Sequence, residues 1–308
     1  MRCTSRVPSA SEWLKELSDD GSVELFPLEL SSGDDSLIPN QETIHQIKEI
    51  CRGSTSMYFC AGFEKQEQAT INFMVSNALA TIEAARSESV PVVVLTSSGG
   101  STNPIGLTNE TPKSETLHWS NPEAQLEAKK FSPAAKTLME INSLKAVGRN
   151  QQNEIIDESL SSQSPRLVIM NPNLILGPQL QPGVPKGNSL PWVKRILTKE
   201  AMSEKIPNDS MSIIDVRDLA ELHVAAAENV NASGRYFGVN QSYKWEEILN
   251  TFSTVYKSYT PPPRFEGDAK IPTQFDHSRK NSLGVTLRPL EETLRDLITF
   301  MKERNVIE

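Results

Sequence analysis

The sequence predicts an α/β chain built on a doubly wound parallel sheet, and three observations carry that reading. Val90–Ser97 runs V-P-V-V-V-L-T-S, apolar and β-branched on successive residues, which describes a strand buried on both faces as in a parallel sheet. Similar short runs recur at Ser22–Leu28, Ser56–Ala61, Arg166–Asn171, Ser212–Val216 and Arg235–Val239, with amphipathic stretches between them. Strand–helix–strand repetition at that spacing means right-handed crossover units. Finally, 308 residues of which 37% are hydrophobic suffice for a sizeable core, as two domains or one large α/β unit.

The elements follow in order. Ser9–Leu17 carries Trp13, Leu14 and Leu17 at helical spacing, and Ser22–Leu28 is the first apolar run. Gln41–Cys51 repeats Ile44, Ile47 and Ile50 along a helix, and Ser56–Ala61 is a strand. Thr70–Arg86 is a helix leading to the strand at Val90–Ser97. The polar loop Gly99–Asn121 is long, and loops of that length inside α/β domains tend to be functional. Ser132 and Pro133 read as N-cap and first residue of a helix reaching Gly148. Arg166–Asn171 is a strand, and Gly177–Pro191, with four Pro and three Gly, is a loop. Asp218–Asn229 is a helix between the strands at Ser212–Val216 and Arg235–Val239, with Asp215 and Asp218 capping and packing it. Pro261–Pro263 marks a break, and Pro289–Glu303 is an amphipathic helix with Leu290, Leu294, Leu297 and Ile298 on one face.

Several functions are disfavoured. With 31 Lys and Arg against 39 Asp and Glu, the net charge of −8 makes nucleic acid and anionic membranes poor partners. The three cysteines, Cys3, Cys51 and Cys60, form neither a disulfide scaffold nor a zinc spacing. Cys60, within Tyr58-Phe59-Cys60-Ala61, reads as a small core residue. No apolar run approaches the ~20 residues that span a bilayer, and Met1–Arg6 has no signal-peptide core; the expectation is a cytoplasmic protein. Walker, G-x-S-x-G and H-E-x-x-H motifs are absent from the sequence. In an open α/β sheet ligands bind beyond the carboxyl ends of the strands, which directs attention to Ala61-Gly62, Thr96–Gly100 and Asn171–Pro178.

Six segments, in register, carry a family resemblance. They are V-L-T-S-S-G-G at Val94–Gly100, S-P-A-A-K-T-L-M-E at Ser132–Glu140, N-P-N-L-I-L-G-P at Asn171–Pro178, I-I-D-V-R-D-L-A-E-L-H at Ile213–His223, G-R-Y-F at Gly234–Phe237, and S-L-G-V-T-L-R-P-L-E-E-T-L-R-D at Ser282–Asp296. Together they resemble an extended short-chain dehydrogenase/reductase, most of all the branch holding dihydroflavonol 4-reductase and cinnamoyl-CoA reductase. The resemblance implies a Rossmann-like fold, with a truncated NAD(P)-binding domain over 1–175. A small substrate-binding region is implied over most of 176–308, with 211–240 returning to the sheet. It implies hydride transfer between NADP(H) and a carbonyl or alcohol of a small molecule.

Carried over by position, Ser98 holds the carbonyl oxygen, and Lys136 binds the nicotinamide ribose and lowers the pKa of the proton donor. Arg6 meets the 2′-phosphate, and Glu29 and Leu30 lie near the adenine. Ala61 flanks the cofactor, and Pro172, Asn173 and Leu174 border the nicotinamide. Some also have a plain reading: a solvated strand-end charge for Arg6, an ordinary strand-end carboxylate at Glu29-Leu30, packing for Ala61, and a strand-end bend for Pro172. Lys136 then reads as a helix-surface lysine beside Glu140.

The sequence departs from the family in two places. The family's catalytic Tyr falls at Ser132, a much weaker acid and shorter by a ring. The family's glycine-rich phosphate turn, with its strand and helix, is absent: the chain contains no G-x-G, and Cys3–Arg6 resembles the second strand. Weak or absent NADP binding is therefore expected. The strand at Ser56–Ala61 is expected to lack a neighbour, as in a truncated gene product. The alternatives are a non-catalytic Rossmann-derived binding protein and a sugar-nucleotide epimerase or dehydratase.

Overall fold

The structure, a computed structural model, describes residues 1–19, 21–31, 36–62, 67–183 and 189–308. Nine strands lie among them: β1 (Arg2–Ser5), β2 (Glu24–Pro27), β3 (Met57–Phe59), β4 (Val92–Thr96), β5 (Arg166–Pro172), β6 (Leu174–Leu176), β7 (Ser210–Asp215), β8 (Gly234–Gly238) and β9 (Gln241–Lys244). The chain divides into two compact units.

The first unit comprises Met1–Ile105, Glu115–Asn171 and Ala226–Tyr236. Its main sheet has the order β3-β4-β5-β8. β3, β4 and β5 run parallel, with Phe59 opposite Leu95 and Leu95 opposite Ile169. The expected two-sided strand is there: Val92, Val93, Val94 and Leu95 are all buried. The helix Gln41–Cys51 starts where the Asn40 side chain accepts from the backbone N–H of Glu42 and Thr43 at 2.8 and 3.2 Å, a cap worth roughly 1 kcal/mol. The helix Ala69–Ser87 is buried almost all round, because Ala78, Ala80, Ala84 and Ala85 admit close neighbours. It packs against both Gln41–Cys51 and Phe131–Ala146. Ile71, Met74, Ile82, Met139 and Ile169 fill the core between these helices and the sheet.

Three local expectations are corrected. Ser9–Leu17 folds as a 3-10 helix over Pro8–Leu17 that buries no residue fully. The helix expected from Pro133 begins at Phe131 with Lys130 as its N-cap, so Ser132 lies inside the first turn and is not the cap. Cys60 is exposed just past the end of β3; the alternation that buries Phe59 turns its neighbours outward.

The second unit comprises Gly106–Ser114, Pro172–Ala225 and Phe237–Glu308. β6 and β7 are parallel, and β7 and β9 antiparallel. Of the stretch 211–240, then, β8 joins the main sheet while β7 does not. Only Val239 and Asn240 separate β8 from β9, and the Asn240 N–H donates to Ile213 at 2.8 Å, so β9 takes the edge of β7. Val193, Trp245, Leu249, Phe252, Leu294 and Leu297 form the core, with Trp192 edge-on to Trp245 at 5.4 Å. Part of the loop expected at Gly177–Pro191 lies outside the described residues, and Ser189 already starts the helix Ser189–Leu197. Gly177 has φ +124°, and a Cβ there would meet Val216 and Asp215 at 3.1 and 3.2 Å. Asp215 in turn accepts from the Arg217 N–H at 2.9 Å as the helix Val216–Glu228 begins, and buried Asp218 pairs with Arg288.

Among the described residues β1 pairs only with β2, as a separate two-stranded parallel sheet, and β3 pairs only with β4. Tyr58, on β3, is 42% exposed. Unpaired strand edges template association, so the isolated chain is expected to self-associate on heating or concentration. Light scattering during a thermal ramp checks this. A monomeric, cooperative transition of ordinary enthalpy per residue contradicts it.

Candidate active site

The carboxyl end of β4 organises the site. After Thr96 and Ser97 the chain enters a 3-10 turn, Gly99–Thr102, capped by Ser98, whose Oγ accepts the Gly100 N–H at 3.0 Å. A Cβ on Gly100 would lie 3.3 Å from both Pro133 and the Ser98 Oγ. Glycine therefore lets this turn close on the first turn of the helix Phe131–Ala146. That helix carries Ser132, Lys136 and Glu140 at intervals of four, one stripe of a single face.

Lys136 is half-buried and points back to the strand end, where its Nζ donates to the Thr96 carbonyl at 2.6 Å. Burial pulls its amine down from 10.5 to about 8, against the opposing pull of the nearby Glu140 carboxylate. An amine so placed exchanges protons close to neutral pH. It is not the solvated surface lysine of the plain reading.

Beneath it lies a polar cluster that the sequence reading missed. The Glu140 side chain is fully buried, as is that of Arg235 to within 2%, and Oε2 meets Nε at 2.8 Å. The other oxygen, Oε1, accepts from Ser97 Oγ and from Asn171 Nδ2, the latter at 2.7 Å. Arg235 donates to the carbonyls of Glu115, His118 and Ser101 at 2.9, 3.0 and 2.9 Å and lies over the Trp119 ring at 3.7 Å. Burial presses the guanidinium below its ordinary value, while Glu140 and Glu115 favour its charge. Asn171 Nδ2 also donates to the Ser98 carbonyl at 3.0 Å. One ion pair thus joins β8, β5, the end of β4, the Lys136 helix and the 115–119 loop. Its sequence signal was two opposite charges in apolar settings: Arg235 between Gly234 and Tyr236-Phe237, and Glu140 after Met139.

The structure brings Ser98 and the Ser132–Lys136 turn together at one strand end. Arg6 and Glu29 are exposed beyond the carboxyl ends of β1 and β2, while Leu30 and Ala61 pack on the first unit's core. In the second unit Pro172 is buried, within 3.2 Å of where a Cβ on Gly238 would stand; Asn173 is exposed, and Leu174 opens β6 opposite Ile213. His223 is buried, its Nδ1 2.7 Å from the Leu219 carbonyl, and burial lowers its pKa. Burial pushes the Tyr243 and Tyr259 phenols up to about 12, which makes them poor acids. Among the described residues no His, Cys, Asp and Glu group is arranged to hold a metal ion. Nor, among the described residues, is any helix long and apolar enough to cross a membrane.

The fit to a dinucleotide is uneven. Arg6 at the end of β1 offers a cation to a phosphate, and Lys136 offers a donor to ribose hydroxyls. The turn between β1 and the 3-10 helix, Arg6-Val7-Pro8, has no glycine, no side-chain cap and a proline without an N–H. It is no cradle for a pyrophosphate.

No family model matches the chain. It is 29% identical over 140 residues to "Cinnamoyl-CoA reductase CAD2" of Medicago truncatula, covering 45% of this chain and 41% of that protein. It is 28% identical over 217 residues to "Tetraketide alpha-pyrone reductase 2" of Arabidopsis thaliana, covering 68% of this chain and 62% of that one. The chain thus spans less than two thirds of the length of these relatives. Among solved structures, vestitone reductase from alfalfa superposes with a TM-score of 0.76 at 19% identity, over 99% of this chain and 91% of that one. Yeast methylglyoxal/isovaleraldehyde reductase, complexed with NADPH, gives 0.76 at 18% identity, over 99% and 92%. The chain is a relative of the cinnamoyl-CoA and tetraketide alpha-pyrone reductases and has the fold of the extended short-chain dehydrogenase/reductases.

Proposed function

We propose that this chain is an NADP(H)-dependent oxidoreductase acting on a CH–OH or C=O group of a small molecule. The observation that carries the reading is the meeting of Ser98 and the Lys136 turn at the carboxyl end of β4, with the Lys136 amine lowered to about 8. In this reading the Ser98 hydroxyl donates to the substrate oxygen, and Lys136 holds ribose hydroxyls and favours proton release beside it. Bound nicotinamide would supply or take the hydride. Ser132, one turn before Lys136, stands where a proton donor belongs, and its alcohol is a feeble acid. Arg6 would face the 2′-phosphate, Glu29 and Leu30 the adenosine, and Ala61 the cofactor edge.

Because the Arg6-Val7-Pro8 turn offers no amide cradle, NADPH is expected to bind more weakly than micromolar. Calorimetric titration checks this, and micromolar or tighter binding overturns the cradle argument. The activity is tested by following NADPH consumption at high cofactor concentration with aldehydes, ketones and CoA thioesters. Slow, carbonyl-dependent consumption that Lys136→Ala abolishes is expected. No consumption with any carbonyl refutes the reductase reading. It favours instead a non-catalytic binding protein, the reading to which Ser132 in the donor position points.

A further inference from the structure

Cys60 has no part in the reading above, yet it shares a hub with Lys136. Phe59 and Leu95 are paired across β3 and β4, so the next residues, Cys60 just past β3 and Thr96 at the end of β4, lie side by side. Thr96 Oγ1 donates to Cys60 Sγ at 3.2 Å, and the carbonyl of the same Thr96 receives Lys136 Nζ at 2.6 Å. The thiol is exposed. The two groups are near enough that a Cys60 thiolate raises the Lys136 pKa, although burial outweighs it and holds the amine at about 8. Neutral amine at neutral pH is thereby enriched by roughly two orders of magnitude over a free lysine. A soft nucleophile and a hard one thus stand on one residue at an open strand end.

We propose that Cys60 and Lys136 form a two-nucleophile capture site for α,β-unsaturated aldehydes. The Cys60 thiolate attacks the β-carbon, a C–S bond forms, and the alkene π pair moves to the α-carbon, which takes a proton from water. The net change is addition of S–H across C=C. The neutral Lys136 amine then attacks the carbonyl carbon, and the carbinolamine loses water as the C=N bond forms. Thiol, amine and enal give one bridged thioether imine and one water, with no oxidant or reductant. A saturated aldehyde supports only the second step and an unsaturated amide only the first, so the enal alone engages both residues.

This chemistry needs no nicotinamide, so its outcome and that of the reductase reading are independent. Two probes test it on the full chain. One o-phthalaldehyde joins a neighbouring thiol and amine into a fluorescent isoindole. Fluorescence is expected from the parent, Cys51→Ser and Cys3→Ser, and is expected to vanish in Cys60→Ser and in Lys136→Arg, which keeps the positive charge. Cys3 is the necessary control, because the Met1 ammonium acts on it. Acrolein followed by borohydride and peptide mapping of the parent needs no variant. It is expected to yield a cross-linked pair of peptides carrying Cys60 and Lys136, joined by one enal less one water plus the two hydrogens that borohydride adds across the C=N bond. Fluorescence that survives Cys60→Ser, or acrolein held on Cys60 as a simple thioether with its carbonyl unbridged, overturns the proposal.

Discussion

Glu140→Ala is expected to destabilise the chain by about 3–5 kcal/mol, the usual consequence of stripping one partner from a buried ion pair. The substitution leaves the Arg235 guanidinium, itself almost wholly inaccessible, without its carboxylate. It also removes the acceptor of Ser97 and Asn171. Buried polar groups left without partners cost more than the net worth of the bonds they made. Thermal unfolding by circular dichroism is expected to show a loss of roughly 10 °C. Arg235→Met with Glu140→Met should be milder than either alone, since neither member of the pair is left buried without the other. A loss below about 1 kcal/mol for Glu140→Ala, or a double variant worse than the sum of the singles, means that the cluster is not what holds the strand end. The effect is not confined to stability: Asn171, fixed by Glu140, also fixes the Ser98 carbonyl.

Ser132→Tyr is expected to raise carbonyl-dependent NADPH consumption by roughly 10²–10⁴-fold, the range that a positioned general acid contributes. The helix already spaces position 132 one turn from Lys136. A phenol there, with an ordinary pKa of ~10, would be drawn toward neutrality by the neighbouring ammonium. The parent and the variant are compared at the same high cofactor concentration, so that weak NADPH binding affects both equally. Ser132→Phe, which adds the ring without the hydroxyl, should gain nothing. A parent that is already brisk and unchanged by Ser132→Tyr places the proton elsewhere and removes Ser132 from the mechanism.

The central strands β4 and β5 were legible because burial on both faces leaves a local mark. Val92–Leu95 are apolar on successive residues, and no solvated surface strand needs that pattern. The helices Gln41–Cys51 and Leu290–Glu303 were equally legible from the spacing of their apolar residues. Ser98 and Lys136 were picked out through the order of short motifs, and that order carried no distances. What the tertiary structure alone decided is how separate segments meet. Glu140 looks like a surface partner of Lys136 in sequence, because i,i+4 spacing says which face two residues share but not what that face packs against. Its real partner, Arg235, lies 95 positions on in the sequence. Cys60 looked like core because its neighbours are apolar; the pleat of β3 and the pairing of β3 with β4 put it instead beside Thr96 in the open. Lys136 has an ordinary lysine's sequence, and only the fold, by burying its amine, lowers its pKa. A chain's periodicity fixes what each segment must hide from water, whereas charge pairing, desolvation and reactivity depend on which segments hide it together.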